Sequence, residues 1–136
     1  MTSETEGENM SRSTQAARLY FLAQAVAVTV WWIAVSLSPE ARSHFFSPVT
    51  REWTISGFLV GDLIFVVSGS VFTFFAAKTN MLAAACSAWL TLGAVGYATV
   101  MALALNWPLF QRPLSDLGML AVTLGSLVSA RQMVVK

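Results

Sequence analysis

The sequence predicts an all-α integral membrane protein, an antiparallel bundle of four transmembrane helices joined by short loops. Hydrophobic residues make up 56% of the 136-residue chain and charged residues only 11%, whereas soluble domains average about 25% charged residues. The charges are also segregated, because apart from Asp62 they gather in residues 1–18, 40–52, 78, 112–116 and 131–136. Each nearly uncharged stretch between them is about as long as a bilayer is thick.

The composition argues against several classes of protein. The net charge is +1, so no basic surface is predicted for a nucleic-acid partner. A single cysteine, Cys86, forms no internal disulfide, and a single histidine, His44, makes a histidine-based metal site a poor hypothesis. We therefore predict no nucleic-acid partner, no metal and no cofactor, and the lipid bilayer as the surroundings of the chain.

The first helix follows a polar N-terminal segment. Residues 1–15 hold three glutamates and no apolar run, which predicts a disordered cytoplasmic tail before a membrane domain over 16–136. The first span, about 17–37, covers roughly 31 Å at 1.5 Å per residue. Ser38 and Pro39 then read as the N-cap and first-turn proline of a short amphipathic helix at the membrane surface.

Three more spans follow. The second runs over about 53–77, and the short "KTN" turn after it makes the third span, about 81–104, antiparallel to it. The fourth covers about 114–131 and ends at Arg131. These runs lack the alternation of membrane β-strands and are about twice too long for them.

The flanking basic residues predict the orientation. Five lie on the side of the two termini, against three on the other side; they are Arg12, Arg18, Lys78, Arg131 and Lys136, against Arg42, Arg51 and Arg112. Positive charge favours the cytoplasmic side. We therefore predict a multi-pass protein of the cell membrane with both termini in the cytoplasm.

Aromatic residues gather near the non-cytoplasmic ends of the spans. The group is Trp31, Trp32, Phe45, Phe46, Trp53, Trp107 and Phe110. One interpretation is the ordinary aromatic belt at a membrane interface. The other is an aromatic mouth for a lipophilic ligand, such as a lipid or a quinone.

Small residues predict where the helices approach each other closely, since lipid supplies no hydrophobic force between helices. On this basis eight positions are assigned to helix packing: Gly57, Gly61, Gly69, Gly93, Gly96, Ala121, Gly125 and Ser129.

Asp62 is the one ionisable residue deep inside a span, and such residues usually have a partner or a function. It lies nine residues from Trp53, or about 13 Å along a helix. One residue on each of the other spans lies at a similar depth, and these are Tyr97, Thr29 and Thr123. A helical wheel of 100° per residue also places Asp62 on the small and polar face of its span. The sequence thus predicts one intramembrane polar layer formed by these four residues.

Asp62 has two interpretations. No lysine or arginine lies deep in any span, so its carboxyl group is either neutral and a hydrogen-bond donor, or charged beside water or a bound cation. It is then either a polar clamp that sets the packing of the helices or a functional group for protons, ions or a cationic ligand.

Three functions follow from these observations. The leading hypothesis is an accessory or structural subunit that binds another membrane component, a second copy of itself or a lipophilic ligand, and such a protein needs no catalytic residues. The alternative is a small proton- or cation-coupled transporter or channel protomer that uses Asp62. The third is an intramembrane enzyme acting on lipid, for which Asp62 and Tyr97 are a thin acid–base pair.

Overall fold

The fold is a ring of four long helices with one short helix at one end. The computed structural model describes residues 11–48, 50–105 and 113–134, and within these ranges the chain is all-α, as predicted. Four of its helices are long and apolar enough to cross a membrane. The helices are α1 (Arg12–Leu37), α2 (Pro39–Phe45), α3 (Glu52–Ala76), α4 (Met81–Leu105) and α5 (Pro113–Val134).

The first helix begins earlier than predicted. Ser11 is the N-cap of α1, and its hydroxyl accepts a hydrogen bond of 3.2 Å from the Thr14 N–H. Residues 12–15 were assigned to the disordered tail, but they form the first turn of the helix, so the predicted boundary at residue 16 is wrong. A serine cap allows a helix to start among polar residues, whereas hydropathy detects only its apolar part. Residues 1–10 of the predicted tail lie outside the described ranges.

The short helix after the first span is confirmed. The Ser38 N–H closes α1 on the Ala34 carbonyl at 2.9 Å, and the Ser38 hydroxyl accepts from the Ala41 N–H at 3.1 Å to start α2. One residue therefore ends one helix and starts the next. Arg42 of α2 forms an exposed ion pair of 2.7 Å with Glu52, at the beginning of α3.

Helix α3 contains a π turn, which the sequence did not predict. Its segments are an α-helix over Glu52–Gly61, a π-helix over Asp62–Val67 and an α-helix over Ser68–Ala76. The Leu63 carbonyl accepts both from the Ser68 N–H and, at 2.9 Å, from the Ser68 hydroxyl. A turn closed over five residues rotates less per residue than an α turn.

The π turn changes which residues of α3 face the interior. On a regular wheel of 100° per residue, Ser70 lies about 80° from Asp62. The structure buries Ser70 completely, whereas Ser68 and Gly57, one of the predicted packing positions, are exposed. A regular helical wheel predicts the wrong direction for Ser70 because it assumes 100° per residue throughout, whereas the π turn holds one additional residue.

The four long helices form a closed ring. Helices α1 and α4 both pack against α3 and α5. Two hydrogen bonds define the register of α1 on α3: Arg18 Nε donates to the Phe74 carbonyl at 2.8 Å, and Trp32 Nε1 donates to the Asp62 carboxylate at 2.9 Å. As the residue number rises in α1 it falls in α3, so the two helices are antiparallel.

The interior has two different ends. The alanine end is a cluster of buried, mostly small residues, namely Ala17, Phe21, Ala76, Ala77, Ala84, Ala88, Ala130 and Met133. The aromatic end is built on the buried residues Trp32, Val35 and Ile55, with partly buried Val28, Trp31, Phe45, Phe46, Phe58 and Leu59 packed against them.

Three of the eight predicted packing positions lie in tight contacts or in the interior. A Cβ atom on Gly69 would collide with Thr91 Oγ1, and one on Gly125 would lie 2.6 Å from the Tyr20 ring. Ser129 is buried.

For the other five positions the prediction of close helix packing within one copy of the chain is wrong. A Cβ atom would meet nothing within 4 Å at Gly57, Gly61, Gly93 or Gly96, and Ala121 is exposed. The two glycines of α3, Gly61 and Gly57, lie in its first α-helical segment, rotated by about 100° and 140° from Asp62, which borders the cavity. In α4 the buried face consists of alanine, serine, threonine and valine, so the glycines lie elsewhere on the helix.

Candidate functional site

A cavity of about 240 Å³ lies at the aromatic end, with Asp62 in its wall. All five helices contribute to its lining. The lining residues are Ala27, Val28, Trp31, Phe45, Phe46, Thr50, Phe58, Asp62, Val66, Val95, Ala98, Ala102, Leu105, Leu114, Ser115, Gly118, Met119 and Val122. Among these described residues Asp62 is the only one with an ionisable side chain. The other polar side-chain groups are the hydroxyls of Thr50 and Ser115 and the Trp31 indole N–H, which is buried without a hydrogen-bond partner.

The carboxyl group of Asp62 is held by an indole. Trp32 Nε1 donates a hydrogen bond of 2.9 Å to Asp62 Oδ2. Trp32 is buried, with 3% of its surface exposed, so its rigid ring gives the carboxyl group a defined position. One oxygen of Asp62 is thus engaged by the protein, while the residue also borders the cavity.

Aromatic rings form much of the remaining wall. The Trp31 ring meets the Phe45 ring edge-on at 5.5 Å between centroids and stacks on Phe46 at 6.2 Å. These three side chains line the cavity together with Phe58. Of the predicted aromatic group, Trp53 is instead 71% exposed, and Trp107 and Phe110 lie outside the described residues.

The predicted polar layer around Asp62 is not formed. Tyr97 is 67% exposed on the outer surface of the bundle, so its place in the layer is wrong. The Thr29 hydroxyl donates to the Ala25 carbonyl of its own helix at 2.8 Å. Thr123 donates to the Met119 carbonyl at 2.9 Å and lies 2.7 Å from the Thr99 hydroxyl.

The error has a physical reason. Counting residues gives the depth of a side chain but not the direction in which it leaves its helix. Tyr97 is the neighbour of the buried Ala98, and the approximately 100° between successive residues turns it toward the outside. The acid–base pair of Asp62 and Tyr97 is therefore absent.

The sequence contained a signal for Trp32, the partner that was missed. Trp32 lies six residues before Ser38, about 9 Å into its span, against about 13 Å for Asp62. A tryptophan side chain reaches across that difference. Its indole N–H is a hydrogen-bond donor. Trp32 was interpreted only as part of the aromatic group near the membrane interface, so this donor was not considered as a partner for Asp62.

Asp116 is a second carboxylate that the sequence reasoning undervalued. It was counted among the loop charges, yet it is fully buried in the first turn of α5. A negative charge is stabilised at that end of a helix by the partial positive charge of the free N–H groups. Its neighbour Ser115 is one of the cavity residues.

A second polar region lies deeper in the bundle, toward the alanine end. The Ser126 hydroxyl donates to Gln24 Oε1 at 2.9 Å, and the Tyr20 hydroxyl donates to the Val122 carbonyl at 2.8 Å. Between α3 and α4 the hydroxyls of Thr73 and Ser87 both donate to the Gly69 carbonyl, at 2.8 and 3.0 Å. The sequence reasoning assigned no site to Gln24, Ser70, Thr91 or Ser126.

Neither isolated side chain named from the sequence adds to the site. Cys86 and His44 are both exposed. Over the described residues, no group of three histidine, cysteine, aspartate or glutamate side chains is close enough to hold a metal ion.

Comparison with known proteins does not assign the site. No protein-family model, no curated protein and no solved structure matches the chain.

Proposed function

We propose that the chain is an integral membrane protein that binds a lipophilic molecule in the cavity at the aromatic end. The observation that carries this proposal is the wall of the cavity, where Trp31, Phe45, Phe46 and Phe58 surround a space that Asp62 also borders. Small-molecule sites are typically concave, largely apolar and equipped with a few well-placed polar groups.

The shape and chemistry of the cavity support a ligand with an apolar body and one polar group. The aromatic rings and the aliphatic residues of α4 and α5 offer contacts to the apolar body. The Asp62 carboxyl group, held by Trp32, offers one fixed polar contact. A molecule of this kind partitions into the bilayer, which is where this bundle would meet it.

A matched pair of variants tests the proposal. Gly118 lines the cavity, and Gly93 lies on the exposed surface of α4; a Cβ atom meets nothing within 4 Å at either position. Gly118→Leu therefore adds a side chain at the wall of the cavity, starting from a Cβ atom that meets nothing, while Gly93→Leu adds the same atoms away from the cavity. Native mass spectrometry of the protein released from mild detergent would measure the retained small molecule.

We expect the unsubstituted chain and the Gly93→Leu variant to retain a lipophilic molecule and the Gly118→Leu variant to lose most of it. Mass analysis after extraction would identify the molecule. Equal retention by the two variants would contradict binding in the cavity, as would the absence of any bound molecule from the unsubstituted protein.

A coupled transporter or channel protomer is the second candidate. It is favoured by one observation, that the ionisable residue of the cavity wall also begins the π turn of α3. π turns occur frequently at functional sites in helices. Ion or proton flux in liposomes tests this candidate: Asp62→Asn keeps the size of the side chain and would abolish flux, whereas it would leave a purely structural clamp nearly intact.

We further propose a multi-pass arrangement in the cell membrane with both termini in the cytoplasm. The five-to-three distribution of basic residues supports it. Reporter fusions after Lys136 and within residues 40–50 would place the two sides. A C-terminus outside the cytoplasm would contradict this orientation.

The role of accessory subunit remains part of the proposal. Gly57 and Gly61 on α3, and Gly93 and Gly96 on α4, leave backbone uncovered by the rest of this chain, and small residues of this kind favour contact between membrane helices. Purification in mild detergent tests the role directly. A second chain, or a second copy, that remains bound would support it, and a strictly monomeric protein would contradict it.

A further inference from the structure

Among the described residues, four buried polar atoms have no hydrogen-bond partner: Trp31 Nε1 at the aromatic end, and three that lie deeper in the bundle, one on each of α1, α3 and α4. These three are Gln24 Nε2, Ser70 Oγ and Thr91 Oγ1. Their residues are only 5%, 0% and 1% exposed. A buried polar atom without a partner costs free energy, and native proteins rarely leave one unsatisfied.

The register of the helices brings these three groups to one level of the bundle. The hydrogen bonds from Arg18 to Phe74 and from Trp32 to Asp62 define the antiparallel register of α1 on α3. By interpolation, Gln24 lies opposite residues 68–70. Thr91 packs directly against Gly69, which places it beside the same turn of α3.

The fourth helix closes this level. The Ser126 hydroxyl of α5 donates to Gln24 Oε1 at 2.9 Å, and Ser126 is fully buried. Each of the four helices thus contributes one polar side chain that is at least nine-tenths buried. These four side chains, Gln24, Ser70, Thr91 and Ser126, form a polar layer that shares no residue with the one predicted around Asp62.

We propose that this polar layer is an internal water-binding site. A buried water molecule typically makes about three hydrogen bonds to polar groups that are otherwise unsatisfied. Here the Gln24 amide supplies donors, and the hydroxyls of Ser70 and Thr91 supply donors or acceptors. Water is the ligand that satisfies all three groups, because the layer contains no charged side chain to bind an ion.

The water site lies one helical turn beyond the floor of the lipophilic cavity. Four cavity residues stand three or four positions from the members of the polar layer, one on each long helix: Ala27, Val66, Val95 and Val122. Residues at this spacing are neighbours along one face of a helix. An apolar layer therefore separates the water site from the cavity.

Solid-state NMR of the whole chain in bilayers tests the proposal. The sample is labelled with ¹⁵N-glutamine, and magnetisation transfer from water to the Gln24 side-chain amide is measured. The side-chain amide signal that disappears in a Gln24→Met sample is the signal of Gln24. We expect transfer to Gln24 despite its burial. The backbone N–H of Ala88, which is fully buried, serves as the dry reference in a sample labelled with ¹⁵N-alanine.

Two isosteric variants then connect the signal to the layer. Thr91→Val removes an unpaired hydroxyl and should reduce the transfer to Gln24 severalfold. Thr29→Val removes a hydroxyl that is bonded to its own helix and should leave the transfer unchanged. Ser70→Ala replaces Thr91→Val if the latter fails to fold. Transfer to Gln24 no stronger than to the Ala88 reference, or equal transfer in Thr91→Val and Thr29→Val, would overturn the proposal.

Discussion

The two ends of the bundle are built from the same four helices but solve the packing problem differently. At the alanine end, small side chains bring the helices close together, and Gly125 receives the Tyr20 ring with no space for a Cβ atom. At the aromatic end, bulky rings stand between the helices and leave a cavity of about 240 Å³.

The difference teaches that one chain can place close packing at one end of a bundle and open space at the other. Close packing gives membrane helices their attraction for each other, since lipid is as apolar as the protein surface. The alanine end supplies such packing. The aromatic end then carries a space that close packing would have removed.

The largest difference should come from removing a large side chain at each end. Phe21 is fully buried at the alanine end, so Phe21→Ala leaves a cavity in tight packing and should lower the free energy of unfolding by about 3 kcal/mol. Phe58→Ala enlarges a cavity that already exists and should cost clearly less. Unfolding in mixed micelles with increasing detergent fraction measures both. Equal losses would mean that the two ends are packed equally well.

Adding a side chain sharpens the same comparison. A Cβ atom on Gly125 would lie 2.6 Å from the Tyr20 ring, which is held by its hydrogen bond to the Val122 carbonyl. Gly125→Leu should therefore lower the stability by about 1–3 kcal/mol through overpacking. Gly57→Leu, with nothing near its Cβ atom, is the matched control. Thermal unfolding in detergent would show the contrast, and identical melting would remove the argument for close approach at Gly125.

The polar contact of the aromatic end should have a smaller, separable effect. Trp32→Phe removes the donor to the Asp62 carboxyl group and should cost about 1–2 kcal/mol. In a double-mutant cycle, Asp62→Leu should cost less in the Trp32→Phe background than in the unsubstituted chain, because both partners are then gone. Strict additivity of the two substitutions would show that the hydrogen bond contributes nothing to stability.

The smallest expected effect compares two glycines of neighbouring helices. Gly93→Ala meets nothing within 4 Å and should raise the stability by roughly 0.5–1 kcal/mol, the ordinary advantage of alanine inside a helix. Gly69→Ala should lower it, because its Cβ atom collides with Thr91 Oγ1. If both substitutions raised the stability, α3 and α4 would not be in tight contact at Gly69.

The bounds of the long helices could be predicted from the sequence because they follow from the length and hydropathy of each apolar stretch. The third span, predicted over about 81–104, is the helix Met81–Leu105. The shared cap at Ser38 followed from the local chemistry of serine and proline. Both inferences need only neighbours in the chain.

The direction of each side chain could not be predicted with the same success. Gly57 and Tyr97 were assigned to the interior, and both are exposed. Direction depends on the rotation of one helix against another, and the π turn at Asp62–Val67 leaves no mark in composition. Asp62 itself was found because a carboxylate in an apolar run is costly. Its partner Trp32 was missed because the same residue type also serves as an interfacial anchor.

The π turn of α3 has a consequence for how this helix tolerates changes in length. Because the turn holds one residue more than an α turn, deletion of the exposed Leu63 or Ile64 would convert Asp62–Val67 to regular α-helix. The segments Glu52–Gly61 and Ser68–Ala76 would keep their mutual orientation. The same deletion at the exposed Leu90 of α4 would rotate every later residue by about 100° and turn its buried face toward lipid. A one-residue gap is thus a conservative change in α3 and a disruptive one in α4.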